Sequence, residues 1–222
     1  SRYDAWINNV TGFGDPSYDK TVHGRIHFHG ALDDETLSAL YHSDDLAERM
    51  VSIVPSEMLR EGFCINTGDP EADSIIADKV EALNLQEALT DGIRWARCFG
   101  GAALLIGADD GRDASRPLVP ERARDLSYVY VIDRRYLWPL TWYTEFGHPK
   151  FGQPETYMVT ALGGSTSHMA TVHESRLVIF RGSPTGTREK AYVAGWDFSV
   201  LQRAYEVLRS FNTGWKGAET IL

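Results

Sequence analysis

Beyond residue 31, apolar residues recur every three or four positions through the first half of this chain and again near its C-terminus, and run together or alternate in the stretch between. Leu37 and Leu40 follow Asp33 and Asp34, carboxylates placed where a helix N-cap and first turn favour them. Ser43-Asp44-Asp45 opens a second helix, with Leu46, Met50, Val54 and Met58 repeating at i+4. Pro55 lies inside that stripe and predicts a kink or a break. After the turn Gly68-Asp69-Pro70, the spacing predicts a helix over 71–84 with Ile75, Ile76, Val80 and Leu83 inward. A further helix is predicted over 85–99, with Leu85, Leu89, Ile93 and Ala96 on one face. Gly100-Gly101 stops it, and Ala102 to Gly107 reads as a short buried strand running into the turn Asp109-Asp110-Gly111.

A charged, proline-containing loop over 109–124 leads to four strand candidates, at 128–132, 136–142, 156–161 and 176–180. No helical pattern separates them, so an antiparallel meander is expected rather than parallel βαβ units, and the fold class is α+β. Ser199 and Gln202 have the spacing of a capping box, after which Leu201, Ala204, Leu208, Phe211, Trp215, Ala218 and Leu222 form a heptad-like stripe. That predicts a long C-terminal helix of roughly 36 Å. The stripe is a candidate surface for oligomer or helix packing. The organisation expected is an extended arm over 1–30, rich in Gly, Asn, Asp and His, an α+β domain over 31–195, and the helix over 196–222. The stripe continues to the last residue with no capping glycine and no polar tail, which suggests a fragment of a longer protein.

Composition adds exclusions. A hydrophobic fraction of 43% and a charged fraction of 24% over 222 residues are those of an ordinary globular chain. The formal charge of −9 has the wrong sign for a protein that wraps nucleic acid with a basic surface. Cys64 and Cys98 are too few for a disulfide framework and too far apart for a metal knuckle. The longest aliphatic run, Ala102 to Ile106, is far short of a membrane span.

Candidate chemistry is sparse. His23, His27 and His29 are the densest set of potential ligands, but no fourth ligand stands at a matching spacing. Asp109-Asp110-Gly111-Arg112-Asp113 lacks the alternating oxygen ligands and closing Glu of an EF-hand loop. Gly12-Phe13-Gly14 has neither the strand before it nor the helix after it that a phosphate loop needs. Gly163 to His168 is a polar turn without the Gly-x-Ser-x-Gly elbow. His173-Glu174-Ser175 has the His-x-Ser form of phosphoesterases that use two such motifs as base and acid, yet only one copy is present. A residue pair ordering the turn before the last strand is the favoured reading, and no catalytic, cofactor or metal site is expected.

Several short motifs stand in one order along the chain: Asp4-Ala5-Trp6 with Gly12-Phe13-Gly14, Leu32-Asp33-Asp34-Glu35, Pro55-Ser56-Glu57-Met58 with Arg60-Glu61-Gly62-Phe63, Arg94-Trp95-Ala96-Arg97 with Gly100-Gly101, His173-Glu174-Ser175-Arg176-Leu177, and Gly195-Trp196 with Ser199-Val200-Leu201-Gln202. Together they resemble the portal proteins of tailed bacteriophages. The resemblance implies a wing-like region followed by a stem-entry helix, with the clip, second stem helix and crown absent. It also implies a non-enzymatic structural subunit of a ring, usually of twelve copies, at a capsid vertex of the virion, assembled in the host bacterial cytoplasm. The implied partners are other copies of the chain, the terminase, the head–tail adaptor, the major capsid or scaffold protein, and double-stranded DNA passing through without sequence-specific binding; no membrane is implied. A portal-like segment also occurs, by resemblance, alongside phage anti-defence phosphodiesterases that cleave cyclic nucleotide signals, which is the alternative reading.

Overall fold

The structure is a computed structural model and describes residues 30–163 and 166–221; apart from Gly30, the arm expected over 1–30 lies outside them. Two helices open the described chain as the carboxylates predict. In α1 (Asp34–Ser43) the Asp33 side chain accepts the Thr36 N–H at 2.7 Å, and in α2 (Asp45–Met58) Asp44 accepts those of Leu46 and Ala47 at 2.9 and 3.0 Å. The stripe expected to face inward on α2 faces outward. Leu46 and Met58 are 50% and 63% exposed, while Ala47, Val51, Ser52 and Pro55 are buried. Small residues on that face let α2 approach α4 (Leu85–Phe99) closely.

Pro55 neither breaks nor ends α2. Its missing N–H leaves the Val51 carbonyl without an intrahelical partner, and Arg97 of α4 fills the gap. Arg97 Nε donates to Val51 O at 3.0 Å and a terminal nitrogen donates to Met50 O at 2.8 Å. Between these helices runs α3 (Pro70–Ala82), which has no buried residue; Ile75, expected inward, is 60% exposed.

Gly100 ends α4 in a left-handed conformation, φ 90°, and a Cβ there would lie 2.1 Å from Asp197 O. This position therefore needs glycine both for its backbone and for the close pass of the chain over 197–198. The strand that follows, β1 (Gly101–Ala108), is the centre of a three-stranded antiparallel sheet between β2 (Leu126–Asp133) and β6 (Leu177–Arg181). A second antiparallel sheet has the order β3 (Leu137–Trp142), β4 (Pro154–Gly163), β5 (Thr166–His173). The meander is thus confined to the second sheet, and β5 was not foreseen. Its sequence, Thr-Ser-His-Met-Ala-Thr-Val-His, has few large β-formers, and pairing with β4 makes it a strand.

The two sheets and the helices form three layers. On one face of the first sheet, Leu104 and Phe180 press on Gly92 of α4. On the other, Ala103, Ile132 and Leu177 join Leu137, Tyr157, Val159, Val172 and Trp196 in a core between the sheets. The expected α+β class, with a helical N-terminal half, antiparallel strands and a C-terminal helix, describes this architecture.

The C-terminal element begins later than the capping pattern suggests. Ser199 Oγ accepts the Leu201 N–H at 3.1 Å and caps a 3-10 turn, Val200–Arg203. After α5 (Thr187–Lys190), the next α-helix is α6 (Tyr205–Ile221), 17 residues long. Gln202 closes no box: its side-chain oxygen accepts the Leu32 N–H at 2.8 Å and ties the start of the helical region to this turn.

Candidate functional site

The His-x-Ser motif lies at the junction between β5 and β6. His173 ends β5 and caps a 3-10 turn, Glu174–Arg176, that leads into β6. Its Nδ1 accepts the Ser175 N–H at 3.1 Å and lies 2.9 Å from Ser175 Oγ. Because a backbone N–H can only donate, Nδ1 is the unprotonated nitrogen, and the serine hydroxyl donates to it. Ser175 Oγ in turn accepts the Leu118 N–H at 2.8 Å, while the His173 N–H donates to Ala114 O at 2.9 Å. Nε2 carries the ring proton and faces the Tyr143 hydroxyl at 3.4 Å, which also lies 3.4 Å from Glu174 Oε1. Lys150 pairs with that carboxylate.

The next residue extends the same grip. The Arg176 guanidinium is buried and donates to Ala108 O, Arg116 O and the Asp110 carboxylate, at 3.1, 3.1 and 2.8 Å. Asp110 also accepts the N–H groups of Arg112 and Val119. The hydrogen bond from Arg176, followed by that of the Val119 N–H, lowers the Asp110 pKa to about 2. Burial pushes His173 below the ordinary histidine range against the opposing charge of Glu174, and it pushes Tyr143 upward with help from Glu174. Four consecutive side chains, His173 to Arg176, therefore clasp two long loops, residues 109–119 and 143–153.

This geometry fixes what the motif can do. Ser175 Oγ is engaged on both sides, and His173 is only 5% exposed with its basic nitrogen occupied. The pair orders a turn and two loops. Sequence reasoning singled out His173 and Ser175, weighed Asp110 only within a cluster of carboxylates, and missed its pairing with Arg176. An arginine at the mouth of an apolar strand and a carboxylate behind an apolar run, Ala102 to Gly107, were the available signal.

The other candidates fall apart in space or lie outside. His23, His27, His29 and Gly12-Phe13-Gly14 lie outside the described residues, as do Gly164 and Ser165. Among the described residues no group of three or more His, Cys, Asp or Glu is arranged to hold a metal ion, and no helix is long and apolar enough to cross a membrane. Asp110, expected in a turn after the strand, is buried in the pair with Arg176. Of the C-terminal stripe, Leu201 and Leu208 are buried in a core with Leu37, Val51, Cys98 and Phe99, and Ala204 packs against it. Phe211 and Trp215 are 53% and 68% exposed, Ala218 is exposed, and Leu222 is outside the described residues. A cavity of about 570 Å³ opens between residues 63–66 and α3, lined by Phe63, Ile65, Ile76 and Val80 with Asp73 and Glu81.

Comparison with known proteins places this architecture. The chain is 32% identical over 210 residues, 93% of its length, to the anti-CBASS protein Acb1 of Caulobacter sp. (strain RHG1), and it spans 33% of that protein's length. This relative overturns the expectation that the chain has no part in an enzyme, because an anti-defence name is the one the alternative resemblance attaches to phosphodiesterases. Residues 35–222 match the phage portal protein family, a range that begins at the second residue of α1 and runs through α6. The chain belongs to the phage portal protein family.

Proposed function

We propose that this chain is the portal-type part of a longer phage enzyme that hydrolyses the cyclic oligonucleotide signal of a bacterial defence system. The observation that carries the reading is the identity to an anti-CBASS protein over 93% of this chain, with only 33% of that relative spanned. In this reading the phosphodiester bond is cleaved by water with one histidine acting as base and another as acid. The His173-x-Ser175 pair serves the scaffold, since its hydroxyl and its basic nitrogen already hold Leu118 and each other. The test is hydrolysis of 3′,5′-linked cyclic di- and trinucleotides by the full-length protein, followed by chromatography of the linear products. Turnover that survives His173→Asn supports the reading. An inert full-length protein overturns it.

The family match over residues 35–222 favours a second role that one longer protein can combine with the first. In it the chain is a ring subunit at the capsid vertex, its residues 31–195 forming the wing and 196–222 the entry to the stem. Terminase, head–tail adaptor, capsid or scaffold protein and passing double-stranded DNA are the partners this role brings. The exposed Phe211 and Trp215, stacked on each other with centroids 6.3 Å apart, are its assembly surface. A protein that stays monomeric by electron microscopy and light scattering would rule the ring out.

A further inference from the structure

The clasp at His173 has one moving part. The other grips described on loop 109–119 use groups that keep their charge across the neutral and mildly acidic range, or backbone groups: Arg176 on Ala108, Arg116 and Asp110, whose pKa Arg176 holds down to about 2, and the His173 N–H on Ala114 O. The remaining contact passes through a single imidazole lone pair. His173 Nδ1 takes both the Ser175 N–H and the Ser175 hydroxyl, and that hydroxyl is what the Leu118 N–H holds. On the other side of the ring, Nε2–H meets the Tyr143 hydroxyl at the root of loop 143–153.

We propose that His173 is a proton-operated latch, in which protonation of Nδ1 opens the turn at Glu174–Arg176 and releases the Leu118 end of loop 109–119 from it.

The chemistry is one proton added to one lone pair. The Ser175 hydroxyl can rotate and accept from the new N–H at Nδ1, but the Ser175 N–H is a donor fixed by the backbone and loses its acceptor. A buried donor facing a donor drives the turn open and carries Ser175 Oγ away from the Leu118 N–H. The groups around the ring are Tyr143 and Lys150 from the β3–β4 connection, Glu155 from β4, and Glu174, Ser175 and Arg176 from the turn itself. Glu174 and Glu155 favour the charged ring, Lys150 and Arg176 oppose it, and burial opposes it most. The sign follows: the closed clasp binds fewer protons than the open one. It is fully stable above the ordinary histidine range and weakens as pH falls toward the depressed folded-state pKa. Between those two limits the open population grows about tenfold per pH unit.

Asparagine supplies the control. Its side-chain oxygen caps a turn by accepting the same i+2 N–H, and it does not titrate. Amide hydrogen exchange of the 222-residue chain at pH 7.5 and 4.5, corrected for intrinsic rates, reads the latch at Leu118 and Ser175. Wild type is expected to lose protection at both amides together in acid, by up to tenfold for each pH unit between the ordinary and the depressed histidine pKa, with β1 unchanged. His173→Asn is expected to keep its protection at both values. Glu155, Glu174 and Asp110 are present in both proteins, so an equal acid loss in the variant would assign the effect to carboxylates and overturn the proposal. Retained protection in wild type at pH 4.5 would overturn it as well. If His173→Asn does not fold, nuclear magnetic resonance of the labelled wild type decides: the His173 imidazole and the Leu118 and Ser175 amides must titrate with one midpoint, and separate midpoints refute the latch.

Discussion

The first and second halves of the C-terminal stripe have the same spacing and opposite surroundings. Leu201, Ala204 and Leu208 press on α1, α2 and α4, with Leu201 fully buried and Leu208 at 5%. Phe211, Trp215 and Ala218 continue the same rhythm on a helix whose residues are all exposed from Arg209 to Glu219. The change occurs where α6 passes the start of α2, at the hydrogen bond from Asn212 to Asp44, 2.6 Å long. Periodicity records that a face is apolar, and only the neighbours decide whether the chain itself covers that face. The contrast gives the two halves different jobs: the first welds the C-terminal segment to the helical layer, and the second offers an aromatic surface.

The sharpest way to break that contrast is to empty the buried half. Leu201→Ala leaves a cavity among Leu37, Val51, Cys98 and Phe99, and a fully buried leucine lost this way costs about 2–5 kcal/mol. Urea unfolding followed by tryptophan fluorescence measures it. A loss below about 1 kcal/mol would mean that Leu201 is not seated as described.

A smaller effect is expected where the chain passes over Gly100 to reach Leu201. In Gly100→Ala the new methyl group would sit 2.1 Å from Asp197 O on a backbone already at φ 90°. Segment 197–201 has to move, at a cost of about 1–3 kcal/mol. Arg97→Ala acts on the seat from below, since it strips the two donors from the Met50 and Val51 carbonyls beside Pro55. Water reaches part of this site, so the cost falls toward the lower end of about 1–3 kcal/mol. Arg97→Lys restores at most one of the two bonds and recovers only part of it. Equal unfolding midpoints for wild type and Arg97→Ala would show that α2 tolerates its proline unaided.

These residues also show how far the sequence can be read. Caps were legible because Asp33 and Asp44 act on N–H groups two or three residues away, and β1 was legible because a strand flanked on both sides and buried on both faces is apolar throughout. Long-range partners were not. The orphaned carbonyl at Val51 is implied by Pro55, but nothing near it names Arg97. Leu46, Met50, Val54 and Met58 form a cleaner stripe than Ala47, Val51 and Pro55, yet the smaller residues face α4, because close helix packing rewards low bulk over hydrophobicity. Ser199 and Gln202 have capping-box spacing, and a competing donor, the Leu32 N–H, takes the glutamine. In the clasp, His173 and Ser175 stood out as a motif, whereas Asp110 and Arg176 are 66 positions apart and join only through the fold.

The smallest effect is expected in the exposed half, and its smallness is the point. Phe211→Ala and Trp215→Ala remove rings stacked on each other, with centroids 6.3 Å apart, on a helix face open to solvent. Both residues keep more than half of their surface exposed in the folded chain, so the unfolding free energy should stay within about 0.5 kcal/mol of wild type. Self-association is where the variants should differ: if these rings are an assembly surface, the double variant shifts toward monomer in sedimentation equilibrium while its unfolding curve overlays that of wild type. A Trp215→Ala loss as large as that of Leu201→Ala would show that the distal half is already packed in the free chain, and the division of the stripe into a weld and a surface would fail.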